Sequence, residues 1–213
     1  MIHNKETARK IAELLLQIKA IILKPNDPFT WASGWRSPIY CDNRKTLSFP
    51  IIRDHIKKYL SKIIQELFHD TEIIGGIATG GIAHGALVAE QLDLPFIYIR
   101  SVAKNHGKQN KIEGVFKKGQ KIILIEDLIS SGKSSLEAVK SLRASGVNVL
   151  CVISIFTYGF KIAENNFNDE RCKFLSLCDY DNMLIKALEK DYIQKSDLSM
   201  LEEWRKDPVN WKK

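Results

Sequence analysis

The chain has 213 residues, 45% of them apolar and 27% charged, and a formal charge of +7. That is ordinary for a water-soluble globular fold with one sizeable core and at most two domains. Its apolar runs are too short to span a bilayer, so no membrane partner is expected. The positive balance favours an anionic partner, either nucleic acid or a phosphorylated small molecule.

From the N-terminus, residues 5 to 23 read as an amphipathic helix, with Ile11, Leu14, Leu15 and Ile18 on one side and Pro25 and Pro28 ending it. Glu13, Gln17 and Lys19 interrupt the apolar stretch and no small-residue cleavage site follows, so a helix suits it better than a signal peptide. Residues 29 to 49 mix aromatics, Gly-centred turns and short β-prone stretches, which predicts an irregular β segment. Pro50 opens a helix reaching His69. A repeating pattern follows: strand Ile73–Ala78, helix Ile82–Gln91, strand Phe96–Arg100, a long polar stretch to Gly119, strand Ile122–Ile125 and helix Ser134–Ala144. Strand Val147–Phe156, a short helix from Phe160 to Asn166, a last strand Lys173–Ser176, and helices Asn182–Lys190 and Ser196–Arg205 complete it. Alternating elements predict an α/β fold, a parallel-sheet core with helices on both faces. One domain over 1–213 is expected, with residues 1–49 as an N-terminal helix and β hood. The four cysteines form no C-x-x-C pair; reduced thiols in the cytoplasm are expected, and metal ligation is not.

In such sheets ligands sit beyond the carboxyl ends of the strands. The first exit to weigh is IILIEDLISSGKSS, residues 122–135. Four buried aliphatic residues run into Glu126 and Asp127. Acids cannot stay buried and unpaired, so they should mark the strand's end. Ser130 to Ser135 then forms a small-residue turn into a helix whose N–H groups and dipole favour an anion. A simple helix cap would explain the serines but not two adjacent acids. The pattern G-x-x-x-x-G-K-[ST] fails because Asp127 stands where its first Gly is needed, and ATGGIAHG does not match G-x-G-x-x-G. The second exit, GGIATGGIAHG at 75–85, lets backbone approach a ligand; tight strand–helix packing is the plainer alternative. His84 is expected on a helix face rather than in catalysis. The third, YIRSVAKNHGKQNKIEG at 98–114, is polar and basic. From Arg100 to Lys121 there are seven Lys or Arg residues and one acid. No aromatics interleave them as on a single-strand-binding surface, so a small phosphorylated substrate is favoured and nucleic acid is not.

Residues 122–135 resemble the type I phosphoribosyltransferases, and R-x-x-x-K-x-H-G from Arg100 to Gly107 is similar to the mobile loop of the orotate-specific branch. FTWASGWRSPIYCDNR, residues 29–44, looks like that branch's base-binding segment. The resemblance implies transfer of phosphoribosyl from 5-phosphoribosyl 1-diphosphate (PRPP) to orotate, giving orotidine 5-monophosphate and diphosphate on the route to UMP. It implies that Glu126 and Asp127 hold the ribose, that the turn of Leu128, Ile129, Ser130, Ser131, Gly132, Lys133 and Ser134 wraps the 5-phosphate, and that Ala78 and Thr79 meet the diphosphate at a cis peptide bond. Arg100, Lys104 and His106 would neutralise the diphosphate, with Lys104, His106, Arg100 and Asp127 as the catalytic set. Magnesium would be the cofactor, carried by PRPP through waters near Glu126 and Asp127 and without protein ligands of its own. A homodimer would share the lid across its interface. Two positions depart from parts of the family: Ala32 and Tyr158 stand where some members carry Lys and Arg that touch orotate. Arg44, or less favourably Arg36, is then the partner for the orotate carboxylate, beside Tyr40 and Ser130. Ser101 replaces a lid lysine of some members, a contact that Lys108 or Lys111 could supply. Trp31 and Trp35 are as consistent with core or dimer packing as with base stacking. A purine-specific enzyme and a nucleic-acid-binding regulator on the same fold are the rival readings.

Overall fold

A computed structural model describes residues 2–31, 34–100 and 111–211. The chain opens with α1 (Lys5–Gln17), whose N-cap Asn4 accepts from the Thr7 amide. Next come β1 (Ile21–Leu23), β2 (Phe29–Thr30), β3 (Arg36–Ser37), β4 (Ile39–Cys41) and a 3-10 helix (Asn43–Ser48). Helix α2 (Pro50–Leu67) leads into β5 (Ile73–Ile77), α3 (Gly80–Leu92), β6 (Phe96–Ile99) and β7 (Ile112–Glu113). The remainder is β8 (Lys121–Ile129), α4 (Lys133–Ala144), β9 (Asn148–Thr157), α5 (Lys161–Asp169), β10 (Phe174–Asp179), α6 (Tyr180–Glu189), a 3-10 turn (Lys195–Asp197) and α7 (Leu198–Lys206).

The main sheet has strand order β10-β9-β8-β5-β6-β7. It is parallel except for β7, which returns antiparallel along β6. Its central strands are continuously apolar because helices cover both faces. Side chains alternate across β8: Ile123 and Ile125 join the core shared with α1, α2, α3 and α6, while Ile122 and Leu124 join the core under α4 and α5. The α/β class expected from the alternating pattern is therefore present.

Several expected boundaries move. The first helix ends at Gln17, not residue 23, because Lys19 turns left-handed (φ 53°) and Ile21–Leu23 pairs with Ile39–Cys41. The polar stretch before Gly119 contains β7, which holds Lys111 beside Arg100: the Arg100 amide donates to the Lys111 carbonyl at 2.8 Å. Strand β8 runs past Ile125 to Ile129, so the two acids lie inside the strand rather than at its end. Helix α7 closes over the N-terminal β segment. The Trp204 indole donates to the Arg36 carbonyl at 3.2 Å, and its ring packs among Trp31, Tyr158, Phe160 and Tyr180.

Candidate active site

Consecutive residues on a strand point to opposite faces. Glu126 therefore turns toward α4 and Asp127 toward α3. Glu126 is only 5% exposed, yet it is partnered: the Asp127 amide donates to Oε1 at 3.0 Å and Ser135 Oγ donates to Oε2 at 3.1 Å. The expectation that an acid here must sit at a strand end fails because these two donors satisfy it internally. Burial first, and the neighbouring Asp127 charge second, push the Glu126 carboxyl well above the usual carboxylate range. Asp127 is half-buried, and its carboxylate lies against Gly80 so closely that a Cβ there would fall 2.2 Å from Asp127 Cγ. Only glycine permits that approach.

After β8 the chain turns through Ser130 and Ser131 to Gly132, which takes φ 76° and caps α4 without any side-chain hydrogen bond. The Lys133 amide donates to Ser131 Oγ at 3.5 Å, a long contact that an incoming anion at this helix start can replace. Lys133 and Ser134 are exposed, and Ser131 is half-buried, its carbonyl accepting from Asn166 Nδ2 at 2.9 Å. Ile129 contributes only main chain: its side chain is in the core, and its carbonyl accepts from Thr157 Oγ1 and the Tyr158 amide. Leu128 likewise packs its side chain on the core.

A cavity of about 450 Å³ lies over this turn, bounded by Ala78, Arg100, Lys111, Ser131, Lys133 and Ser134; Glu126 and Asp127 precede the turn on β8 and do not line it. The Ala78–Thr79 peptide is cis, as the resemblance implied. Arg100 projects from the end of β6 and pairs with Glu113 at 3.4 Å. Lys104 and His106, with Ser101 and Lys108, lie outside the described residues, as does Ala32. Three cations, Arg100, Lys111 and Lys133, with one acid, Glu137, therefore border one cavity that also takes in the start of α4.

The N-terminal segment meets the acids from the α3 side. Asn43 is buried and its amide donates to the Asp127 carbonyl at 2.7 Å. Neither Asn43 nor Ser135 carried a local sequence signal; each is a polar residue whose partner is distant along the chain. Arg44 is 62% exposed and its Nε donates to Asp42 Oδ1 at 2.6 Å. That contact raises the Arg44 pKa and holds Asp42 below the usual carboxylate range. Tyr40 is exposed, its ring 5.6 Å from that of Phe29. Trp31 belongs to the core, stacked on Trp35 and packed against Tyr158, its indole donating to the Ile39 carbonyl at 3.1 Å. Tyr158 is buried in the same aromatic cluster.

A family model described as phosphoribosyl transferase domain matches residues 46–189. The chain is 51% identical over 207 residues to the orotate phosphoribosyltransferase of Porphyromonas gingivalis, covering 97% of this chain and 99% of that one. It is 50% identical over 205 residues to the orotate phosphoribosyltransferase of Listeria innocua, covering 96% and 98%. Among solved structures, it superposes on the orotate phosphoribosyltransferase of Aeropyrum pernix with TM-score 0.74 at 24% identity, over 83% of this chain and 97% of that one. It also superposes on the Mycobacterium tuberculosis orotate phosphoribosyltransferase in complex with PRPP, with TM-score 0.64 at 19% identity, over 83% and 98%. Those two superpositions establish the shared fold.

Proposed function

The chain belongs to the orotate phosphoribosyltransferases, and on that premise we propose how its residues divide the reaction. Enzymes of this family transfer phosphoribosyl from PRPP to orotate in pyrimidine biosynthesis, and so does this one. Asp127 takes the ribose hydroxyls, with Glu126 bracing the Asp127 amide from the other face of the strand. The main-chain amides and hydroxyls from Ser130 to Ser134 take the 5-phosphate at the start of α4. Arg100 and Lys111, joined by Lys104 and His106, take the diphosphate. Lys111 supplies the contact that Ser101 lacks, since it lines the same cavity as Arg100. Arg44 receives the orotate carboxylate: Asp42 engages only its Nε, and its two terminal nitrogens make no hydrogen bond among the described residues, leaving an edge suited to bidentate pairing. Tyr40 and Ser130 flank the base. The observation that carries this reading is that β8 runs its two acids directly into the turn that starts α4, and that this turn shares one cavity with Arg100 and Lys111.

Cleavage of the C1–oxygen bond runs ahead of bonding to N1 of orotate, so positive charge grows on the ribose while negative charge grows on diphosphate. The protein's part is orientation and charge placement. The Asp127 carboxylate beside the ribose opposes the first charge; Arg100, Lys111 and the lid cations oppose the second. Closure of the 98–114 loop would exclude water from PRPP.

Magnesium fits the donor set at β8. It takes oxygen ligands and keeps several waters, and among the described residues no three His, Cys, Asp or Glu side chains converge to hold it alone. The ion would thus rest on PRPP with waters toward Glu126 and Asp127, and when bound it would neutralise diphosphate charge. A homodimer in which each copy's 98–114 loop closes over its neighbour's cavity, and a cytoplasmic setting that keeps the four free thiols reduced, complete the proposal.

The test follows the ultraviolet absorbance of orotate with PRPP and magnesium, each omitted in turn. Arg44→Gln should raise KM for orotate far more than for PRPP, and equal effects would remove Arg44 from the base site. Lys104→Ala should depress kcat with the fold intact; near-native turnover would end the lid's catalytic role.

A further inference from the structure

His84 sits on α3, 1% exposed, and takes no part in the chemistry above. Its Nε2 lies 3.1 Å from Thr46 Oγ1. The Thr46 hydroxyl donates its proton to the Asn43 carbonyl, so the imidazole must be the donor in the contact with Thr46. The proton is therefore on Nε2, and Nδ1 is left buried with no partner. Burial keeps the ring neutral, its pKa pushed down to about 4. An unpartnered buried nitrogen is costly, and a leucine would fill this space without that cost.

The placement of α3 gives the imidazole a purpose. His84 follows Gly80 by one helical turn and shares its face. Gly80 abuts the Asp127 carboxylate. His84 reaches the same residue through Thr46 and Asn43, whose amide donates to the Asp127 carbonyl at 2.7 Å. One helix thus holds Asp127 by its carboxylate and by its main chain. The 3-10 helix that carries this link also carries Arg44.

We propose that His84 is a positioning residue: by donating from Nε2 to Thr46 it fixes Asn43, and through Asn43 the main chain from which the Asp127 carboxylate meets the sugar. This rests on the reading of Asp127 as a ribose ligand.

Steady-state kinetics of His84→Leu, His84→Gln and Thr46→Val, with Asp127→Asn alongside, test it. Glutamine keeps an N–H donor near the place of Nε2; leucine does not. His84→Leu and Thr46→Val should each raise KM for PRPP about five- to tenfold, the worth of one buried hydrogen bond. His84→Gln should recover most of that loss. The double variant His84→Leu/Thr46→Val should be no worse than either single, because both cut one chain. If His84→Leu does not fold, Thr46→Val against Thr46→Ser makes the same comparison. Unchanged KM in His84→Leu and Thr46→Val while Asp127→Asn raises it would overturn the inference alone, as would equal damage from leucine and glutamine, which would mark packing. Unchanged KM in Asp127→Asn would refute the ribose reading itself, and the inference with it.

Discussion

Replacing Gly80 by alanine puts one methyl group into the space that Asp127 occupies. The added Cβ would lie 2.2 Å from Asp127 Cγ, 2.3 Å from Oδ2 and 2.5 Å from Oδ1. Carbon contacts settle near about 3.5 Å, so the carboxyl must retreat by roughly 1 Å. Gly80 itself need not move: its φ lies outside the left-handed region, and alanine is a better helix former by up to about 1 kcal/mol. Asp127 is half-buried and can swing away, so the chain should still fold with a melting temperature close to native. A misplacement of about 1 Å in a positioning group costs about 100-fold in rate, or about 2.7 kcal/mol. The expected result is a loss of that order in kcat/KM for PRPP, with KM for orotate much less affected. The assay is orotate absorbance at varied PRPP, paired with thermal melting. Gly75→Ala is the control: its Cβ would meet Leu124 Cδ2 at 2.6 Å and Ile122 Cδ1 at 2.9 Å, both core side chains. It should cost about 1–3 kcal/mol of stability and spare the kinetics of whatever remains folded. A folded Gly80→Ala enzyme with kcat/KM within about threefold of native, under 1 kcal/mol, would show that the observed seat of Asp127 is not needed for turnover.

Glu126 predicts a pH signature. Its pKa is raised on folding, so above the unfolded glutamate value of about 4.3 the native state holds a proton that the unfolded state has lost, and stability falls as pH rises toward the raised value. Glu126→Gln should flatten that fall, measured as melting temperature against pH; parallel curves would contradict the buried, shifted carboxyl. Burial also lifts the Cys151 thiol to about 12 and raises Cys178 well above its ordinary value. Neither should be alkylated by maleimide in the native protein, as mass spectrometry would read, and rapid native labelling would count against the described core. Trp204→Leu removes a buried indole and its bond to the Arg36 carbonyl. It should cost about 2–4 kcal/mol in denaturant titration and raise KM for orotate more than for PRPP, because the loosened segment carries Tyr40 and Arg44; an equal rise in both would argue against that route.

The sheet and its central acids were legible because they are local patterns. Ile122 to Ile125 is uniformly apolar only where helices cover both faces, and Glu126–Asp127 followed by small residues marks the exit. What local reading lost is the partnering. It excludes a buried acid only if unpaired and sees no partner for Glu126, whereas Ser135, nine residues on, and the next amide supply two. It ran the first helix to residue 23 because Ile21–Leu23 continues the apolar run; only pairing with Ile39–Cys41 sets those residues apart. Two-residue β7 inside a basic stretch is too short to show a period. Asn43 could not be singled out at all, since its partner carbonyl lies 84 residues away.

Adjacent acids in an extended strand cannot serve one ligand equally. Glu126 faces α4 with both oxygens already accepting, one from an amide and one from Ser135. Asp127 faces α3, and its carboxyl bonds that of Glu126, a contact that adds to burial in raising the Glu126 pKa. Its resolved restraints are the glycine beside the carboxylate and the Asn43 amide on its carbonyl. A raised pKa suits a brace: a carboxyl that readily keeps its proton adds little charge to a site already handling phosphate, yet it holds the Asp127 amide. The more exposed Asp127 carboxylate is the better partner for hydroxyls and for positive charge on the ribose. Asp127→Asn should therefore lower kcat/KM for PRPP more than Glu126→Gln does, because glutamine can still accept from the amide and bond Ser135. If Glu126→Gln proved the more damaging of the two, the strand's acids would have to exchange roles, with the inward carboxyl bearing the charge that the sugar meets.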